Sequence, residues 1–137
     1  MKKNYNLMDV NSIYLTLFRI VVAGLMLVGH GLPKLFKYFE KGEIQFADPI
    51  GLGVTFSFIL VIFAEVICSL FIMVGFKSRL ATIPLIITML VVIFIVKLND
   101  PLSDKETPIL YLTSFALIYF LGSGMYSVDN ILNKSKK

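Results

Sequence analysis

The amino-acid sequence predicts an all-α integral membrane protein. The fold class is a four-transmembrane-helix bundle, up-down-up-down, with both termini cytoplasmic. Three observations carry that expectation. Of the 137 residues, 57% are hydrophobic, against roughly 45–50% in a soluble domain, and the mean hydropathy is +0.82. The apolar residues gather into four runs separated by polar stretches. The lysines sit at the ends of those runs, as membrane orientation signals do. A chain of this length is expected to form a single transmembrane domain over residues 1–137, with no room for a second soluble module.

Residues 1–11 are polar, and the first helix is expected over about 12–32. Lys2 and Lys3 ahead of an apolar run resemble a secretory leader. No small-x-small cleavage site follows, so the run reads as a retained span. Residues 33–52 read as a loop with balanced charge. Its Phe36, Tyr38, Phe39 and Phe46 suit the membrane interface, with a short helical turn over the bundle mouth. The second helix, 53–75, is long enough to cross about 30 Å of hydrocarbon. The turn Phe76-Lys77-Ser78-Arg79 leads to a third helix at 80–97, with Pro84 in its first turns, where a missing backbone donor costs least. Thr107-Pro108 predicts the start of the fourth helix, 108–121: a hydroxyl N-cap followed by proline at the first helical position.

Four spans place both termini and the 76–79 turn on one side. That side holds seven basic residues: Lys2, Lys3, Lys77, Arg79, Lys134, Lys136 and Lys137. The other holds five, together with six of the nine acids. The bias puts the first side in the cytoplasm, which for a bacterial chain means the inner membrane. The formal charge of +4 does not indicate a nucleic-acid partner. A nucleic-acid binder would show a basic stripe with aromatic residues between, and here the aromatics lie inside apolar runs.

The chemistry-bearing residues are few. Arg19 and His30 fall within about 20° of a whole number of helical turns, so an α-helix projects both from one face, with Ala23 and Met26 between them. An arginine in an apolar run needs a partner or a wet cavity. Glu65 is the only acid inside another apolar run, so the sequence pairs it with Arg19. That pair is either a ligand pocket or an ion pair that fixes helix register. Lys34 lies near the expected outer mouth. Cys68 and Ser69, one turn after Glu65, are expected to line the same face, and Tyr111 to offer a hydrogen bond across helices. His30 offers a ligand for a quinone oxygen, a haem iron or a proton, but it is the one histidine, so any metal would need carboxylates, Cys68 or a partner, and neither haem nor metal is expected from this chain alone. One cysteine makes no CxxC redox pair. No GxSxG, Walker loop or HExxH occurs.

With these residues in view, the sequence resembles the DoxX family of small four-helix membrane proteins. The carriers are Leu17-Phe18-Arg19, His30-Gly31-Leu32-Pro33-Lys34-Leu35, Ala64-Glu65, Gly75-Phe76-Lys77-Ser78-Arg79-Leu80-Ala81 and Gly122-Ser123-Gly124-Met125-Tyr126-Ser127-Val128-Asp129. The resemblance implies one of two roles. One is a membrane subunit of a quinone-linked oxidoreductase, similar to thiosulfate:quinone oxidoreductase, with Arg19, His30, Lys34 and Glu65 around a quinone. Met26, Cys68, Ser69 and Tyr111 would line that pocket. The other is a non-catalytic scaffold or assembly factor for a partner membrane protein. The lipid bilayer is a partner in either case. With so few redox ligands of its own, the chain is expected to associate with itself or with other oxidoreductase subunits. Some relatives carry a further histidine in helix three, which this chain lacks.

Overall fold

The computed structural model describes residues 7–40 and 42–136. Lys2, Lys3, Lys41 and Lys137, which enter the charge count above, lie outside those residues. All regular structure described is helical. The elements are α1 (Leu7–Met26), α2 (Leu32–Phe39), α3 (Val54–Ile62), α4 (Ser69–Val74), α5 (Ser78–Val91), α6 (Leu102–Leu121) and α7 (Val128–Lys134).

The first six helices make four rods, because π-turns weld several of them end to end. Leu27–Gly31 joins α1 to α2, Phe63–Cys68 joins α3 to α4, and Val92–Val96 extends α5. Three rods are long and apolar enough to cross a membrane: Met8–Phe39, Val54–Val74 and Ser78–Val96, with mean hydropathy 2.0, 2.7 and 2.5. The protein is therefore an integral membrane protein. The fourth rod, α6, opens on the polar stretch Ser103 to Thr107, and its apolar part starts at Pro108.

Three boundaries differ from the sequence expectation. The first helix starts at Leu7, five residues before the expected 12, taking Asp9 and Asn11 into its first turns, and two others differ at prolines. The first helix does not stop at Leu32 but runs on to Phe39. A proline ring normally clashes with the carbonyl four residues back. Here the Leu32 amide bonds to the carbonyl of Leu27, five residues back, so the helix is widened one residue ahead of Pro33. The fourth helix starts six residues before Pro108, at Leu102, behind Pro101 in an extended conformation. Its early Asp104 and Glu106 suit the positive end of the helix dipole.

The core runs along the bundle axis through Ala23, Met26, Ala64, Ile72, Leu85, Phe115 and Ile118. Small residues on the first two rods let them approach closely, as membrane helices do when no hydrophobic effect drives them together. Gly31 is the tightest such point. A Cβ there would lie 2.6 Å from the Glu65 carbonyl oxygen. The second rod ends in a Schellman motif. Gly75, at φ 75°, donates to the Ile72 carbonyl, and Phe76 donates to that of Phe71. The Phe71 and Phe76 rings then meet edge-on at 5.3 Å.

Candidate functional site

Depth along the rods decides what each polar residue faces. The second rod spans 21 residues, Val54 to Val74, about 31 Å at 1.5 Å per residue. The first rod crosses the same thickness between Arg19, beside Gly75, and Phe39. Residues before Arg19 continue past that level, where Leu15 reaches Gly124. Arg19 thus marks one boundary of the bundle, and Glu65 lies midway across it.

The expected Arg19–Glu65 pair does not form. Arg19 is 1% exposed, and its guanidinium donates to the backbone carbonyls of Ser123 and Tyr126, the latter at 3.0 Å. Its countercharge is Asp129. Asp129 accepts from the Lys77 amide at 2.8 Å and from the Ser123 hydroxyl, and its own amide donates to the Gly75 carbonyl. Burial pushes the Asp129 carboxyl up. The Ser123 hydroxyl, the amides of Lys77 and Ser78 and the charge of Arg19 outweigh that and hold it below the usual carboxylate range. This network ties the first rod, the 75–78 turn and the α6–α7 loop together. Little in the residue pattern marks it, because the two acceptors of Arg19 are main-chain oxygens.

Glu65 pairs instead with Lys34. Nζ to Oε2 is 2.6 Å, and the side chains are 25% and 4% exposed. Lys34 lies five residues inside the end of α2 at Phe39, about 7 Å by helix rise. Its long side chain snorkels inward rather than out, because the carboxylate is there. His30 sits one turn before Lys34 and feels the charges of both Lys34 and Glu65. Its ring meets the ring of Tyr111 from α6 edge-on at 5.5 Å, and Tyr111 in turn feels Glu65. His30, Lys34, Glu65 and Tyr111 therefore form one polar cluster near mid-membrane depth.

Both π-turns of the first two rods meet at this cluster. His30 and Gly31 belong to one, Glu65 to the other. A π-turn advances less per residue than an α-turn, so His30 lags the α register that would have stacked it over Arg19. Arg19 is buried in the bundle end and His30 is half-buried beside Tyr111. Of the residues expected to line a pocket with them, Met26 and Cys68 are packed in the core at 1% and 4% exposure, and Ser69 is fully buried. Among the described residues no three His, Cys, Asp or Glu side chains gather as a metal site.

Compared with known proteins, residues 14–98 match the DoxX family profile. The chain belongs to the DoxX family. The match contains the three long apolar rods, apart from the first turns of the first, and so contains His30, Lys34 and Glu65. It ends before α6 and Asp129. No curated protein and no solved structure matches this DoxX chain.

Proposed function

We propose that the chain is an integral-membrane subunit of a quinone-linked oxidoreductase complex, and that the His30/Lys34/Glu65/Tyr111 cluster is where a quinone headgroup is held. The single observation behind this reading is the Lys34–Glu65 ion pair at 2.6 Å near the bilayer centre. Charged groups at that depth are expensive, and intramembrane ionisable groups are by default functional-site candidates. The donor set fits a quinone carbonyl. Lys34 commits one N–H to Glu65 and keeps two. His30 carries a ring N–H, and Tyr111 adds a hydroxyl and an aromatic face. A bound quinone would supply two-electron, two-proton acceptor chemistry. This chain's residues would orient a carbonyl oxygen at Lys34 and His30 and hold a proton at Glu65 or His30. Electrons would enter from a partner subunit, which the reading requires.

The second reading, a scaffold or assembly factor for another membrane protein, draws on the same pair. Lys34 and Glu65 are already in direct contact and lock two rods together, a structural task complete in itself. The test is co-purification from native membranes in mild detergent, with lipid extraction and mass spectrometry. Retained quinone that is lost in Lys34→Met but kept in Lys105→Met supports the first reading. A stable protein partner with no quinone supports the second and overturns the first. A monomer that turns over quinone unaided refutes the need for a partner. For topology, the reading has four spans, with α6 as the last and both termini cytoplasmic in the inner membrane. Tags at the C-terminus and in the 98–101 loop should then be protease-accessible from opposite sides, and same-side labelling would end it.

A further inference from the structure

At the end of the bundle that Arg19 marks, a cavity of about 440 Å³ opens between Lys77 with the first turn of α5, the end of α6 and α7. Its lining mixes apolar and polar groups. Leu80 and Leu121, 62% and 54% exposed, supply its large apolar side chains. Lys77, Arg79 and the amides of Asn130 and Asn133 supply polar ones. Neither cation is in an ion pair among the described residues. The one acid in the lining, Asp129, is committed: one oxygen accepts the Lys77 amide and the other the Ser123 hydroxyl. Arg79 is held in place by backbone rather than by charge. It lies across Gly122, where a Cβ would come within 3.1 Å of its Nε. Its one hydrogen bond, to the Phe120 carbonyl, is long at 3.4 Å, so most of its five donors stay free.

The structure assigns this cavity to the phosphate of an anionic phospholipid headgroup, held by Arg79 and Lys77 with the acyl chains along Leu80 and Leu121. The guanidinium fork matches two phosphate oxygens, which a lysine alone would not. Large apolar side chains together with two unpaired cations at a span boundary match the polarity profile of a phospholipid at the membrane interface. Basic side chains at that level attract anionic lipid.

The test is native mass spectrometry of the full chain in micelles holding equal amounts of palmitoyl-oleoyl phosphatidylglycerol and phosphatidylcholine. Bound phosphatidylglycerol should exceed phosphatidylcholine. Lys77→Gln and Arg79→Gln should each weaken it about fivefold, with partial rescue by Arg79→Lys. Lys134→Gln, on α7 but outside the cavity, should leave it unchanged. Circular dichroism confirms that the variants stay folded. No preference for the anionic lipid overturns the assignment, and so does an equal loss in Lys134→Gln, which would mean diffuse surface charge. Displacement of the lipid by millimolar inorganic phosphate, with equal protection against heat by phosphate alone, upholds the phosphate chemistry and overturns the lipid as its source.

Discussion

The partner of Glu65 can be settled by two double-mutant cycles run side by side. One pairs Lys34→Met with Glu65→Gln, the other Arg19→Leu with Glu65→Gln. Lys34 Nζ and Glu65 Oε2 are 2.6 Å apart. With an effective dielectric of about 20, the bare attraction is about 6 kcal/mol. Desolvation of two largely buried charges offsets most of it, which leaves a coupling energy of about 1–3 kcal/mol. Arg19 is twelve residues, about 18 Å, along the rod from Gly31, the residue that touches Glu65. At that separation the two changes should add to within about 0.5 kcal/mol. The assay is reversible unfolding in mixed micelles by a denaturing detergent, with helicity as the signal. Additivity between Lys34 and Glu65 would mean the ion pair is absent. Coupling of more than about 1 kcal/mol between Arg19 and Glu65 would overturn the depth assignments on which the site rests.

Three further outcomes follow from the same geometry. Arg19→Leu removes charge-assisted hydrogen bonds to the Ser123 and Tyr126 carbonyls and should cost about 2–4 kcal/mol. Amide exchange should quicken in residues 122–134 while the amides around Glu65 stay protected, and loss of protection at Glu65 would refute the separation of the two networks. Gly31→Ala sets a methyl 2.6 Å from the Glu65 carbonyl, whereas a methyl at Gly29 meets nothing within 4 Å; the first should lower the unfolding midpoint and perturb the Lys34–Glu65 coupling, the second should do neither, and equal effects would mean the rods do not touch there. Because the folded Asp129 carboxyl is held below its ordinary value, the unfolded chain takes up that proton first. Its stabilisation is therefore present above the ordinary carboxylate pKa of about 3.9 and is lost as pH falls through the lower folded value. The gap in unfolding midpoint between the unaltered chain and Asp129→Asn should hold steady near neutral pH and close below about pH 4; a gap that widens with acid refutes the sign.

The membrane character of the chain and the whole of its second rod were legible because hydropathy is additive along the sequence. The rod Val54–Val74 falls within one residue at each end of the expected 53–75. Pro33 and Pro108 misled for a shared reason. Each reads as helix punctuation when only its missing donor is considered, yet a π-turn before Pro33 and an earlier start at Pro101 carry the helix through both. The cost of the Pro33 misreading was functional. It ended the first helix at Leu32 and put Lys34 in a solvated mouth, so Glu65 was left with Arg19 as the only candidate cation. Once the rod runs on to Phe39, Lys34 is inside the bundle and is the nearer partner by a wide margin. Arg19 was traced to the wrong partner for a different reason. Its acceptors are the carbonyls of Ser123 and Tyr126, and every residue has a carbonyl, so no residue type marks the site. The one side-chain cue was Asp129, the only acid that follows α6, and nothing in its spacing pointed to Arg19. Two glycines show the same limit from the other direction. Gly31 and Gly75 are needed for what they touch, the Glu65 carbonyl and the Arg19 guanidinium, and a sequence records that a glycine is present without recording what approaches it. The polar cluster was thus half visible: its residue types were singled out from the sequence, and its pairings required two π-turns that leave no periodic trace.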